Sequence, residues 1–166
     1  GGLAKQGMVP VVALYSTFLQ RAYDQIIQDI AMLKLHVVLA IDRAGLVGDD
    51  GPTHHGVFDI GSLRQVPGMQ ILTPASSVEL QDMLIWAVEK CTGPVAVRYP
   101  RGSEGSYRES AWGTDGAEQV AVHRQGEDVT LVTYGTLVNN VMQAAQELAQ
   151  QGIQAKVLRL LSVSDL

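Results

Sequence analysis

Cysteine is almost missing from this 166-residue chain. Cys91 is the only one, which excludes an internal disulfide and any thiolate metal cluster and reads as a small, reduced core residue. No apolar run approaches the ~18 residues of a membrane span, and no signal peptide is recognisable. A membrane is therefore not an expected partner, and the expected location is cytoplasmic. Basic residues are few: 12 Lys and Arg stand against 17 Asp and Glu, a formal net charge of −5. Without a basic patch, nucleic acid is not expected either. A negative protein that handles anionic metabolites must use a few placed arginines rather than its overall field. Several familiar motifs are also missing: Walker loop, G-x-G-x-x-G, G-x-S-x-G and HExxH. No Cys or His stands at zinc-ligand spacing, Asp49-Asp50-Gly51 lacks the spacing of a calcium loop, and no metal ligand is expected in this chain.

What is present is a core. Hydrophobic residues make up 46% of the chain and charged residues 17%, which fits a globular protein and argues against disorder. The length suits one domain, or one and a bit. Met8 to Leu14 reads as a buried parallel strand with Pro10 near its start. Thr17-x-x-Gln20 matches a capping box, and Leu19, Tyr23, Ile26, Ile27, Ile30 and Leu33 follow at helical spacing. Strands are predicted at His36–Ile41, Met69–Leu72 and Val95–Arg98, with a short helix near Ile60–Arg64. Ser76-x-x-Glu79 is a second capping box, opening a helix through Leu80, Leu84, Ala87 and Val88. Ser103 to Glu118 reads as a polar, glycine-rich linker. Beyond it come a short edge strand at Gln119–His123 and a strand–helix–strand unit at Val129–Tyr134, Leu137–Gln150 and Ala155–Leu161. Strands alternating with helices imply an α/β fold, a parallel sheet with helices on both faces.

In such sheets ligands bind beyond the carboxyl ends of the strands, and three polar clusters fall there. Tyr15 to Phe18 with Arg21 follows the first strand, Asp42 to His55 the second, and Arg98 with Arg101 the last of the first set. The pattern brings Tyr15, Arg43, Asp50, His54 and Arg101 to one edge. A polar segment as long as Asp42–Asp59 is usually functional or disordered. Arg43 and Arg101 either converge on an anion, phosphate being the natural one, or each pairs with a carboxylate such as Asp42 or Asp50. His54 is a candidate for proton transfer or for bonding a substrate oxygen, with a solvated loop histidine as the plain alternative. Phe18 on its own reads as a core residue.

Taken together, Tyr15-Ser-Thr-Phe-Leu-Gln-Arg-Ala-Tyr-Asp-Gln25, Ile41-Asp-Arg-Ala-Gly-Leu-Val-Gly48, Asp50-Gly-Pro-Thr-His-His-Gly56 and Arg98-Tyr-Pro-Arg-Gly102 resemble the 1-deoxy-D-xylulose-5-phosphate synthases. These are thiamin-diphosphate enzymes related to the transketolases. The resemblance implies a transketolase-type pyrimidine-binding domain over residues 1–115, with a linker and the start of a C-terminal transketolase domain over 116–166. It implies an enzyme that joins pyruvate to glyceraldehyde 3-phosphate with loss of CO2, depends on thiamin diphosphate and Mg2+, and works as a homodimer. By resemblance, Phe18 stacks on the aminopyrimidine ring and Arg21 frames it. Tyr15, Arg43, Asp50 and Arg101 line the acceptor site, and His54 lies near the reacting carbon. The role of His55 stays open. A transketolase-like enzyme acting on sugar phosphates, one subunit of a split enzyme, and a non-catalytic module remain as alternatives.

The start at Gly1-Gly2-Leu3-Ala4 and the end at Ser162–Leu166 read as cuts in a longer fold. The family's catalytic glutamate belongs just upstream of Gly1. Its Gly-Asp-Gly…Asn metal–diphosphate motif belongs to a preceding domain, and Gly48-Asp49-Asp50-Gly51 is no substitute, since the next Asn is Asn139. The expectation is that this polypeptide alone is inactive and holds the cofactor weakly at best. Robust CO2 release from pyruvate by this chain would contradict it.

Overall fold

The computed structural model describes residues 1–164; the expectation that the fold runs on through Asp165 and Leu166 lies outside them. The first 98 residues build a four-stranded, wholly parallel sheet in the order β1–β2–β4–β3, from Val11–Tyr15 (β1), Val38–Asp42 (β2), Gln70–Leu72 (β3) and Val95–Arg98 (β4). Its central strands are apolar at consecutive positions because both faces are covered. Leu39, Ile41, Ile71 and Ala96 pack with Leu19, Ile26, Ile30 and Leu63 on one side. Val38, Leu72, Val95 and Val97 pack with Met83, Ala87, Cys91 and Trp112 on the other. The helices that supply these layers are Asp59–Leu63 (α3) and Ser77–Glu89 (α4), together with the helical run 16–31, of which Tyr23–Ile26 is α2. A short α1, Gly2–Lys5, precedes them. Cys91 is free and buried.

Three expectations need correction. β1 is an edge strand rather than a buried one: it pairs with β2 alone, and Val11 is 52% exposed. Apolar composition says that a strand suits a sheet, and it does not say how many neighbours the strand has. The Thr17-x-x-Gln20 capping box does not form. Thr17 Oγ1 instead donates to Thr53 O (3.2 Å) and Gln20 Nε2 to Thr17 O (3.0 Å), so the segment enters as a 3-10 helix over Ser16–Ala22 and ends as a π-helix over Ile27–Ala31. Leu33 lies past that helical run and is exposed. The second capping box does form its first half, with Glu79 N donating to Ser76 Oγ (3.1 Å).

A second sheet, β5–β7–β6, comprises Val120–Arg124 (β5), Val129–Tyr134 (β6) and Ala155–Leu160 (β7), with Val138–Gln150 (α5) packed on it. β6 runs parallel to β7, and β5 antiparallel. The chain beyond β7 is sutured to the edge of β3, because Thr73 N donates to Leu161 O and Val163 N to Ile71 O, each at 2.9 Å. Residues 103–118 contain no regular element, yet they are docked rather than loose: Trp112 is buried, Ser76 Oγ donates to Glu109 O and Ala111 N to Glu79 Oε1. Among the described residues no helix is long and apolar enough to cross a membrane.

A second tie between the two sheets is an ion pair. Arg159 of β7 donates from Nη1 and Nη2 to the two carboxylate oxygens of Glu79 on α4, both at 2.7 Å, with both side chains fully buried. Ala75 N and Ala111 N complete the carboxylate, while His123 Nε2 and Tyr107 Oη accept from the guanidinium. Burial, reinforced by Arg159, pushes the His123 imidazole below its usual pKa, consistent with a neutral ring accepting at Nε2. Removing one partner leaves the other charged and buried. Glu79→Ala is therefore expected to lower unfolding free energy by about 3–5 kcal/mol in urea titration. A loss below 1 kcal/mol would show that the pair adds little to the joint between the sheets.

Candidate functional site

Each of β1, β2 and β4 runs out at the same edge of the first sheet, since all are parallel. The residue after β2 is Arg43, which adopts φ +56°, a left-handed conformation costly for a side chain with a Cβ. Its own neighbour holds it there: Asp42 accepts Arg43 N at 2.7 Å and Arg43 Nη1 at 2.6 Å. The chain then makes a closed loop. Gly45 and Gly56 exchange both backbone hydrogen bonds at 2.8 Å, fixing the neck, and Gly48 and Gly51 turn the tip with positive φ.

The tip delivers Asp50 to two guanidinium groups. Arg43 Nε donates to Asp50 Oδ2 at 2.8 Å, and Arg101 Nε lies 3.4 Å from the same oxygen. Arg101 Nη1 also donates to Val47 O at 3.2 Å. The Nη2 group of each arginine has no hydrogen-bond partner among the described residues. The Arg43 guanidinium lies 4.1 Å from the centre of the Tyr15 ring, a cation–π contact. Tyr15 stacks on Phe18 (centroids 5.6 Å apart, 13° between planes), and His54 meets Phe18 edge-on at 5.5 Å. Arg21 Cζ stands 5.9 Å from the centre of the Phe18 ring. The seven residues singled out from sequence thus form one connected cluster, drawn from three strand ends.

The core reading of Phe18 is excluded, because the residue is 43% exposed at the site edge. Arg98 parts from Arg101. It forms a two-point ion pair with buried Asp59 at 2.8 and 3.3 Å and lies over Tyr134, away from the cluster. The two histidines also diverge. His54 Nδ1 is engaged by Thr53 Oγ1 at 3.0 Å, leaving Nε2 without a partner among the described residues, whereas His55 Nδ1 accepts Val47 N at 3.2 Å. Sequence reasoning did not single out Gly56. A Cβ there would stand 2.3 Å from Ser16 Oγ and 2.5 Å from Arg43 O, so only glycine lets the loop neck lie against the end of β1. No local motif announces that contact.

Electrostatics follow the geometry. The Arg43 hydrogen bond is the main cause holding the Asp50 carboxyl below its usual pKa, helped by Arg101 and His54 and opposed by desolvation. The same bond raises Arg43. Burial, with Asp42 nearby, raises the Tyr99 phenol behind the cluster. As for a cofactor, the partly exposed Phe18 ring offers apolar area to a flat heteroaromatic ring. Among the described residues no group of three or more His, Cys, Asp or Glu is placed to hold a metal ion.

A family model, the pyrimidine binding domain of transketolase, matches residues 1–105. The chain belongs to this family. A second model, the transketolase C-terminal domain, matches residues 118–166. Among curated proteins the chain is similar to a 1-deoxy-D-xylulose-5-phosphate synthase of Gloeobacter violaceus, 50% identical over 159 residues covering 95% of this chain and 25% of the relative. It is also 49% identical over 165 residues to the synthase of Desulfotalea psychrophila, at the same coverage. The chain thus spans about a quarter of the length of these relatives. Among solved structures, a split-gene transketolase described as an inactive beta4 tetramer superposes with TM-score 0.81 at 29% identity, over 96% of this chain and 51% of that one. A transketolase mutant from Pichia stipitis superposes with TM-score 0.79 over 92% of this chain and 23% of its own length, and at 19% identity it shares the fold.

Two outcomes are expected for this transketolase-type site. Because the folded Asp50 pKa is lowered, its contribution is fully present above the unfolded value of about 3.9 and is lost as pH falls through the folded one. Amide exchange in loop 46–55 should therefore stay slow at pH 4 and speed up only in stronger acid, and Asp50→Asn should remove that transition. Opening near neutral pH would contradict the clamp. Gly56→Ala should cost about 1–3 kcal/mol through overpacking, read by urea unfolding, and should free the same amides.

Proposed function

We propose that this chain is the pyrimidine-binding part of a 1-deoxy-D-xylulose-5-phosphate synthase, in which Arg43 and Arg101 hold the phosphate of glyceraldehyde 3-phosphate. The observation that carries the reading is the convergence of these two guanidinium groups on one carboxylate oxygen while the Nη2 group of each has no hydrogen-bond partner among the described residues. The two Nε groups meet on Asp50, and the remaining Nη2 donors suit a phosphate, which accepts several hydrogen bonds at once. The 50% identity to a named synthase supports the choice of acceptor.

Phe18 gives the aminopyrimidine a flat apolar support, held in place by Tyr15, and Arg21 closes its flank. Thiamin diphosphate, when bound with Mg2+ through another part of the enzyme, supplies the electron sink for decarboxylating pyruvate and joining it to the aldehyde. His54 stands beside Phe18, so it lies next to any ring stacked there. Its Nε2 hydrogen-bonds the aldehyde oxygen and passes a proton to or from it. Tyr15 and Asp50 orient the acceptor hydroxyls. The product, 1-deoxy-D-xylulose 5-phosphate, feeds isoprenoid, thiamin and pyridoxal synthesis, and the working enzyme is a homodimer in the cytoplasm. The domain limits of 1–115 and 116–166 belong to the same proposal.

One comparison favours a second reading, that of one subunit of a split enzyme, because the split-gene transketolase matches almost the whole of this chain. A separate polypeptide carrying the Gly-Asp-Gly motif that restores turnover on mixing would establish it.

Calorimetric titration with glyceraldehyde 3-phosphate tests the acceptor assignment. The phosphorylated aldehyde is expected to bind, and Arg43→Gln or Arg101→Gln to weaken it at least about tenfold, one hydrogen-bonded charge being worth about 1.5–3 kcal/mol. Equal affinity for unphosphorylated glyceraldehyde would overturn it.

A further inference from the structure

Val47 is the point where the loop meets the arginines. It is buried, and both its N–H and its carbonyl have partners. Its carbonyl accepts from Arg101 Nη1 at 3.2 Å and from Asp50 N at 3.3 Å. Its N–H donates to Nδ1 of His55, on the opposite limb of the loop, at 3.2 Å. The bond ties residue 47 to residue 55 inside a ring whose neck is Gly45–Gly56. The side chain of His55 is therefore the only strut that crosses the loop to Val47 among the described residues, and the Val47 carbonyl orients the Arg101 fork together with Asp50.

We infer that His55 is a positioning residue for the anion-binding pair, setting Arg101 and Asp50 through the Val47 backbone. This deepens the proposed function and rests on its reading of Arg43 and Arg101 as a phosphate site. What the position requires is an acceptor at the place of Nδ1 rather than an imidazole as such. A buried N–H that loses its acceptor must find another or turn to solvent. Either choice turns the 46–47 peptide about φ of Val47, and through that torsion it redirects the Val47 carbonyl that Arg101 bonds. Arg101 is the more loosely held of the pair, with its side chain 42% exposed and a 3.4 Å approach to Asp50, so its direction is the property most sensitive to that carbonyl. His54, by contrast, contacts Phe18 and has no bond to Val47. The adjacent histidines thus divide the work, one facing the ligand and the other holding the loop.

Two substitutions in this chain separate a hydrogen-bonding role from a packing role. His55→Phe keeps a ring and removes the acceptor, while His55→Gln keeps an acceptor and removes the ring. The readouts are exchange protection of the Val47 amide and affinity for inorganic phosphate, followed by NMR. The phenylalanine variant should lose Val47 protection and bind phosphate about tenfold more weakly, as loss of roughly one hydrogen bond implies. The glutamine variant should match the wild type in both. The opposite order, or phosphate affinity unchanged in the phenylalanine variant, would overturn the inference. Should that variant fail to fold, weakened phosphate binding or lost Val47 protection in the glutamine variant alone would overturn it. If the wild type binds no phosphate, the acceptor-site reading fails by itself. Val47 protection then decides the strut: kept in the glutamine variant and lost in the phenylalanine variant supports it, and any other pattern sinks it.

Discussion

One carboxylate oxygen organises the site. Asp50 Oδ2 lies against Arg43 from the end of β2 and Arg101 from beyond β4. Two guanidinium groups do not share a small volume without a negative charge between them. The loop therefore brings its own anion, and Asp42 adds a second, so the two arginines and two aspartates balance. The cluster thus carries its own counter-charge. Each arginine still has an Nη2 group without a hydrogen-bond partner among the described residues, so on the proposed reading an incoming anion meets oriented donors.

Every other feature serves to hold that geometry. The left-handed Arg43 turns the chain out of β2 toward the rim, and Asp42 offsets the strain with two short hydrogen bonds. Gly56 lets the loop neck press on Ser16 and on the Arg43 carbonyl, which couples the loop to the segment that carries Phe18. Behind the rim, the Glu79–Arg159 pair and the backbone suture between β3 and residues 161–163 fix the second sheet against the first. Structure and family matches agree that the transketolase pyrimidine-binding fold is the frame.

The sheet was legible because strands such as β2 and β4 are apolar on both faces and alternate with helical segments, a combination that fits a covered parallel sheet. The edge position of β1 was not, since Val11 and Val12 look the same whether covered or exposed. Likewise Thr17 has the right residue type for a cap, but its hydroxyl is claimed by Thr53, distant in sequence. Arg98 and Arg101 are near neighbours with different destinies: one meets the buried Asp59 and the other passes Pro100 to the rim. Glu79 was read for a local cap, while its decisive partner lies on β7. Local motifs report local bonds, and the partners that distinguish a ligand-facing side chain from a structural one lie dozens of residues away.

The most direct test is a crystal structure of the chain with glyceraldehyde 3-phosphate. The account predicts phosphate density bridging the Nη2 groups of Arg43 and Arg101, with the aldehyde end toward His54 and Phe18. Phosphate bound elsewhere, with both arginines still closed on Asp50, would contradict it.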